Sequence, residues 1–244
     1  NSGTIDLNSN GNVTGIDGTV VTNAGTIKIT GHSNGSNNVG AHGSSSATND
    51  SGHSITVTGY YHNAGLIAPT VTNNGTISVT GSYGDGIYAD TNHATSSGSN
   101  SSITVTGSYN DGVKGAQNAN LLSSSTVTMQ SGNYNNGVHA VGGNASVTGN
   151  SRINLYANRY SNGVYAPNGD TTVTSSSIYV GEYGSANDTN NSSNSNGINL
   201  VKSGATNSIT SSLIYMKGNS NIGVRVAEPG TLTFTNNHMY MNGS

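Results

Sequence analysis

Catalysis or metal binding in this chain would have to be built from ten acidic side chains and seven histidines, since cysteine is absent. His32, His42, His53, His62, His93, His139 and His238 form no pairs at i, i+2 or i, i+4, the spacings that bring two imidazoles to one ion, and they read as scattered surface side chains. Asp17, Asp85 and Asp111 are spread along the sequence, the last two at turns. No group of carboxylates therefore gathers as polysaccharide cleavage would need, either for a cation or for an acid and base pair. A Gly-Gly-x-Gly-x-Asp calcium repeat is absent as well. The expectation is a protein that is not an enzyme, with no catalytic residue, metal or cofactor; a polysaccharide-active enzyme is kept as an alternative.

Regularly spaced aromatic and polar side chains are the other source of chemistry. The stretch Tyr83-Gly84-Asp85-Gly86-Ile87-Tyr88-Ala89 recurs at 109–115, 134–140 and 160–166, with weaker copies ending in Leu66-Ile67-Ala68, Ile198-Asn199-Leu200 and Val224-Arg225-Val226. Between the two inward residues of each copy, the outward position reads Asp17, His42, Ile67, Tyr88, Lys114, His139, Tyr165, Asn199 and Arg225. This mixed polar and aromatic stripe suits recognition. Its candidate binding residues are His42, Tyr88, Lys114, His139, Tyr165, Asn199 and Arg225. An alternative contact surface is the column Tyr61, Tyr83, Tyr109, Tyr134 and Tyr160, one Tyr at the same corner of successive turns. The same regularity would arise if those rings only shield the corner.

Both columns presuppose a repeat that brings equivalent residues together. An apolar-x-apolar piece begins at Ile5, Ile27, Ile55, Ile77, Ile103, Val127, Ile153, Ile178, Ile214 and Met239. Its apolar residues alternate with polar ones, the strand period, and no window shows the i, i+3, i+4 spacing of a helix. A second strand turns Ile16, Ala41, Leu66, Ile87, Val113, Val138, Val164, Ile198 and Val224 inward, and Val71, Val147, Val173, Ile209 and Leu232 mark a shorter third. Repeated strands at this period make an all-β solenoid, a parallel β-helix of about ten turns with roughly three short strands per turn. Gly86, Gly112, Gly137, Gly163, Gly197 and Gly223 head the second strand, where a corner with φ > 0 is expected. The preceding Asp85, Asp111, Asn136, Asn162 and Asn196 tolerate the same left-handed conformation. The whole chain, 1–244, reads as a single unit, with projecting loops near 44–52, 92–100 and 183–196. The first of the outward positions of the opening strand, Thr26, Thr56, Ser78, Thr104 and Thr128, give way to Tyr179, Tyr215 and Tyr240. Such a hydroxyl array raises ice binding as a minor alternative, interrupted by Lys28 and the tyrosines.

Composition agrees with a thin repeated core. Charged residues are 7% and hydrophobic residues 31% of 244, against about 25% and 45–50% in compact domains. A net charge of −3 without basic clusters gives no field for nucleic acid or an anionic membrane. No apolar run is long enough to insert in a membrane. The absence of cysteine suits a chain that stays unfolded through an oxidising compartment before export. Because the pattern starts and stops midway, the chain is expected to be a piece of a longer protein.

Tandem apolar-x-apolar strands, the Asn-Gly-Val-x-Ala pieces, and the entries Asn23-Ala24-Gly25-Thr26-Ile27 and Asn73-Asn74-Gly75-Thr76-Ile77 resemble the passenger regions of bacterial autotransporters, the type V secreted proteins. The resemblance covers nearly all of the chain. It implies a right-handed parallel β-helix displayed at the cell surface, attached to the outer membrane by a C-terminal β-barrel that is not in this chain. It also implies an adhesin: self-association between copies on neighbouring cells, aggregation and biofilm formation, or attachment to a host surface protein or glycan. Relatives that are proteases do not alter this. Asn49-Asp50-Ser51-Gly52 shares only Asp-Ser-Gly with the nucleophile loop of secreted serine proteases, a chance match among common turn residues. A passive stalk that presents a distal domain is the alternative from a different class.

Overall fold

The computed structural model describes residues 1–32, 37–156, 158–181 and 193–242. All regular structure among them is β-strand, and the strands pair in parallel into a parallel β-helix. Ten strands stack on the first face, from Thr4–Ser9 to His238–Asn242. Their register puts Ile5, Ile27, Ile55, Ile77, Ile103, Val127, Ile153, Ile178, Ile214 and Met239 in one column, as the sequence period predicts. The second face likewise stacks Ile16, Ala41, Leu66, Ile87, Val113, Val138, Val164, Ile198 and Val224. β-Branched residues dominate because they fit a pleated, half-buried surface, and Ser102–Thr106 shows the resulting alternation of half-buried and buried positions. Each turn lies about 4.7–4.9 Å from the next, so every inward Ile packs on its own equivalents and gains roughly 1.5–3 kcal/mol by burial.

The third face departs from expectation. Its five predicted inward residues fall in two adjacent columns. Val71 and Leu232 stack with Ala94, Ala119 and Ala145, whereas Val147, Val173 and Ile209 lie two residues further along, with Asn73, Ser96, Leu121 and Phe234. Two strands, Thr14–Asn23 and Val39–Asn49, run from the second face onto the third without a break. The expected loop near 44–52 is therefore mostly wall, with Ala47 and Asn49 buried. The same holds near 92–100, where Ala94–Ser97 is a strand with Ala94 and Ser96 buried. Small and polar inward residues hid both strands from a search for Val and Ile. The third expected loop, near 183–196, lies outside the described residues as far as 192; Asn196 already belongs to the strand Asn196–Leu200.

Glycine at the head of the second strand has a different cause from the one expected. None of Gly86, Gly112, Gly137, Gly163, Gly197 and Gly223 has positive φ, and neither do the Asp and Asn residues before them. These glycines are needed because the wall closes on itself there. A Cβ on Gly137 would lie 2.5 Å from Ile153 Cγ2 on the first face and 2.7 Å from the Gly163 carbonyl of the next turn. Outward, the first face stacks Thr56, Ser78, Thr104 and Thr128 in one column above Lys28, as expected, whereas Thr26 belongs to the neighbouring column with Ser54, Thr76, Ser102 and Thr126.

Gly137→Ala is expected to cost roughly 1–3 kcal/mol, as overpacking of a closed core does. Gly11→Ala, where no atom lies within 4 Å of the added methyl, should change nothing. Urea unfolding midpoints of the two variants check this; equal midpoints would contradict the close packing of the corner.

Candidate functional site

The outward positions of the second face form one column. Asp17 is in register with His42, His42 with Ile67, Ile67 with Tyr88, and the line continues through Lys114, His139, Tyr165 and Asn199 to Arg225. Its side chains touch in pairs along the axis. His42 Nδ1 lies 2.6 Å from Asp17 Oδ1, the Lys114 ammonium sits 4.8 Å from the centre of the Tyr88 ring, the His139 and Tyr165 rings are 5.1 Å apart, and Arg225 donates to Asn199 Oδ1 at 3.2 Å. Asn199 is buried, so it supports Arg225 and does not itself offer a contact.

At the corner between the first and second faces, Tyr83, Tyr109, Tyr134 and Tyr160 all have left-handed backbone, φ 53–60°. That conformation costs an ordinary residue roughly 1–2 kcal/mol. It is required by the corner, because Asn37, His62, Asn194 and Ser220 adopt it in other turns. Each Tyr amide is thereby aimed along the axis, as Tyr83 N to Ser108 O and Tyr109 N to Asn133 O. The rings stack at 4.7, 4.9 and 5.2 Å with planes within 15°, and a stacked pair returns about 0.5–1.5 kcal/mol. Stacking leaves ring edges and hydroxyls as the exposed part of the ladder, so interior rings do not offer faces to a sugar. Tyr61 is not a member: it is in register with Ser82, and His62 stands at the Tyr83 position, with its ring tilted 35° from that of Tyr83.

Beside these columns runs one that sequence reasoning treated as turn residues. Asn196 Nδ2 donates to Asn162 Oδ1, Asn162 to Asn136 and Asn136 to Asp111, at 2.7–2.9 Å. The amide ladder ends on a carboxylate, which only accepts. Asp85 follows in register one turn earlier, so the two aspartates judged to be far apart are neighbours. Lys114 Nζ bridges them, 3.5 Å from Asp85 Oδ2 and 3.5 Å from Asp111 Oδ2, where a cation held by both would otherwise stand. His139 Nδ1 lies 3.0 Å from Asp111 Oδ2. The signal was available: each aspartate directly precedes a corner glycine, one repeat apart.

The two carboxylates have unequal surroundings. Burial pushes Asp85 up from 3.8 to about 7, the Asp111 charge adds to this, and Lys114 opposes it. Burial also disfavours charge on Asp111, yet the His139 hydrogen bond and charge, Lys114 and Asn136 hold its carboxyl below 3.8. Burial opposes the Lys114 charge as well, but the facing Asp85 and Asp111 raise its affinity for a proton above the usual lysine range. Asp111 is enclosed by three partners, which leaves Asp85 as the carboxylate able to face a ligand. It opens on a cleft of about 260 Å³ lined by Asn37, His62, Asn63, Ala64, Ile67, Tyr83, Asp85, Tyr88 and Lys114.

Between pH 3.8 and about 7 the folded chain keeps the Asp85 proton that the unfolded chain has lost, so this group lowers stability as pH rises through that interval. Asp111 acts oppositely: its contribution is present above 3.8 and is lost as pH falls through its lowered folded value. Asp85→Asn should therefore stabilise the rod at pH 8 by about 1–3 kcal/mol and lose most of that gain by pH 4. Thermal melts at the two pH values measure it, and a difference independent of pH would mean that Asp85 ionises as it does in water. Compared with protein-family models, with curated proteins and with solved structures, the chain matches none, so the reading of its surface rests on this geometry.

Proposed function

We propose that the rod is an adhesive module of a bacterial cell surface, not an enzyme, which makes contact with a second copy on a neighbouring cell or with a host surface protein or glycan. The observation that carries this reading is the outward column on the second face, where cations, histidines and tyrosines are held against one another in successive turns. Side chains already pinned lose little freedom on contact, and aromatic and arginine side chains are the groups that most often anchor an interface. A rigid flat face also lets many weak contacts add along its length, so that modest single contacts give firm attachment between arrays of rods. A passive stalk has the same fold but needs no such column. Display outside the outer membrane through a β-barrel follows from the resemblance to autotransporter passengers and is part of the same proposal.

Replacing His42, Tyr165 and Arg225 together by Ser removes two half-buried members and one exposed member of the column, all outside the cleft. With the full-length protein displayed on cells, clumping or host attachment should fall by about tenfold or more, since several interface anchors are lost at once. The circular dichroism of the purified rod should stay β-rich. Undiminished clumping and attachment would leave the stalk reading.

A further inference from the structure

The cleft beside Asp85 has a cause that can be traced to three columns. In the Asp and Asn column, Ala64 stands in register with Asp85; in the outward stripe, Ile67 stands in register with Tyr88; at the corner, His62 takes the place of Tyr83. In three adjoining columns the side chain thus lengthens between the same two turns, from Ala64, Ile67 and His62 to Asp85, Tyr88 and Tyr83. The hollow left is walled by the first members of each, Tyr83, Asp85 and Tyr88, and floored by Ala64 and Ile67.

The wall chemistry is that of a small polar ring with an apolar face. Tyr83 stacks on Tyr109 on one side, and its other side meets the tilted His62 ring, 5.6 Å away. Lys114 lies over one face of Tyr88. Among the described residues, Lys114 is the side chain that reaches the Asp85 carboxylate, through Oδ2, so Oδ1 is left to accept from a ligand. An anionic ligand would meet two aspartates, and a cationic one would meet the Lys114 that already bridges them. A neutral ligand with hydroxyl donors for Asp85, acceptors for Lys114 and an apolar face for Tyr88 meets neither. About 260 Å³ lies below the roughly 300–1,000 Å³ of pockets for drug-sized ligands, which suits a single ring.

We propose that this cleft binds one neutral pyranose unit, so that the glycan chemistry of a surface is read at the turn where the tyrosine ladder begins. The proposal deepens the adhesive reading by naming a ligand class, but its site shares no residue with the column variant above.

The test uses the purified chain and free methyl pyranosides of glucose, galactose, mannose and N-acetylglucosamine, with saturation-transfer and chemical-shift NMR at neutral pH. At least one sugar should receive saturation and shift the ring signals of Tyr83 and Tyr88. At pH 8, where Asp85 is ionised, Asp85→Asn should weaken binding by about tenfold, because the amide oxygen still accepts but the charge that strengthens the bond is gone. Ala64→Asn extends the amide column into the hollow and should abolish binding. Should that variant lose its β-sheet circular dichroism, Ile67→Tyr fills the same space by extending the stripe. Shifts from none of the four sugars, binding that survives a folded cleft-filling variant, or a response only to ethanolamine or sialic acid would each overturn the proposal. Sugar binding retained in the His42, Tyr165 and Arg225 variant while clumping is lost would separate the two surfaces. Clumping retained in the His42, Tyr165 and Arg225 variant, with sugar binding lost in Ala64→Asn, would reject the column and keep the cleft.

Discussion

Parallel stacking of each turn on its equivalents, at the backbone hydrogen-bond repeat of about 4.7–4.9 Å, is the constraint from which the rest follows. It makes every side chain a neighbour of its own counterparts, so like meets like unless the repeat varies. For apolar residues this is favourable without adjustment, and the Ile column of the first face is the result. For buried amides it works only in series: Asn23 donates to Asn49, which donates to Asn73, so each satisfies the next. Buried Asn63, Asn110 and Asn135 meet the same demand with backbone and side-chain partners at the corner, and Asn38 donates to Asn63 although its own Oδ1 has no partner among the described residues.

Charge cannot be stacked in that way. Where Asp85 and Asp111 succeed one another, the chain offsets the repulsion with Lys114 from the next column and with His139 beyond it, and burial still drives Asp85 toward its neutral form. The following turns replace the carboxylate by Asn136, Asn162 and Asn196, which can hydrogen-bond in series. Chemistry on this rod is therefore concentrated where columns change composition. A uniform column gives a smooth wall; a change of residue type in three columns at one turn gives the cleft.

The corner tyrosines illustrate two effects of similar size. A left-handed backbone at a bulky residue costs about as much as one stacked ring pair returns. Tyr is tolerable there because the repeat supplies the next ring at stacking distance. At the ends of the ladder the corner is occupied by His62, whose ring meets Tyr83 at a tilt, and by Asn194.

By itself the sequence determined the solenoid, the inward columns of the first two faces and the membership of the outward stripe, because period-two alternation and a repeat near 25 residues survive in residue type alone. Tertiary structure decided whatever depended on register to within one or two residues. Tyr61 and His62 are adjacent, and only pairing of Ala64 with Asp85 says which of them stands in the ladder. The third face was legible only where Val71, Val147, Val173, Ile209 and Leu232 mark it; its register and its strands near 47 and 94 were not, because Ala, Ser, Thr and Asn fill its narrow interior as well as Val does and hydrophobicity no longer marks the inward side. The need for glycine was legible at the corner but not its cause, since close approach of the next turn is a distance between residues some 26 positions apart, as for Gly137 and Gly163. The Asp85 site was hidden for the same reason: two aspartates, a lysine and a histidine separated in sequence become one electrostatic unit only when the chain has wound back on itself.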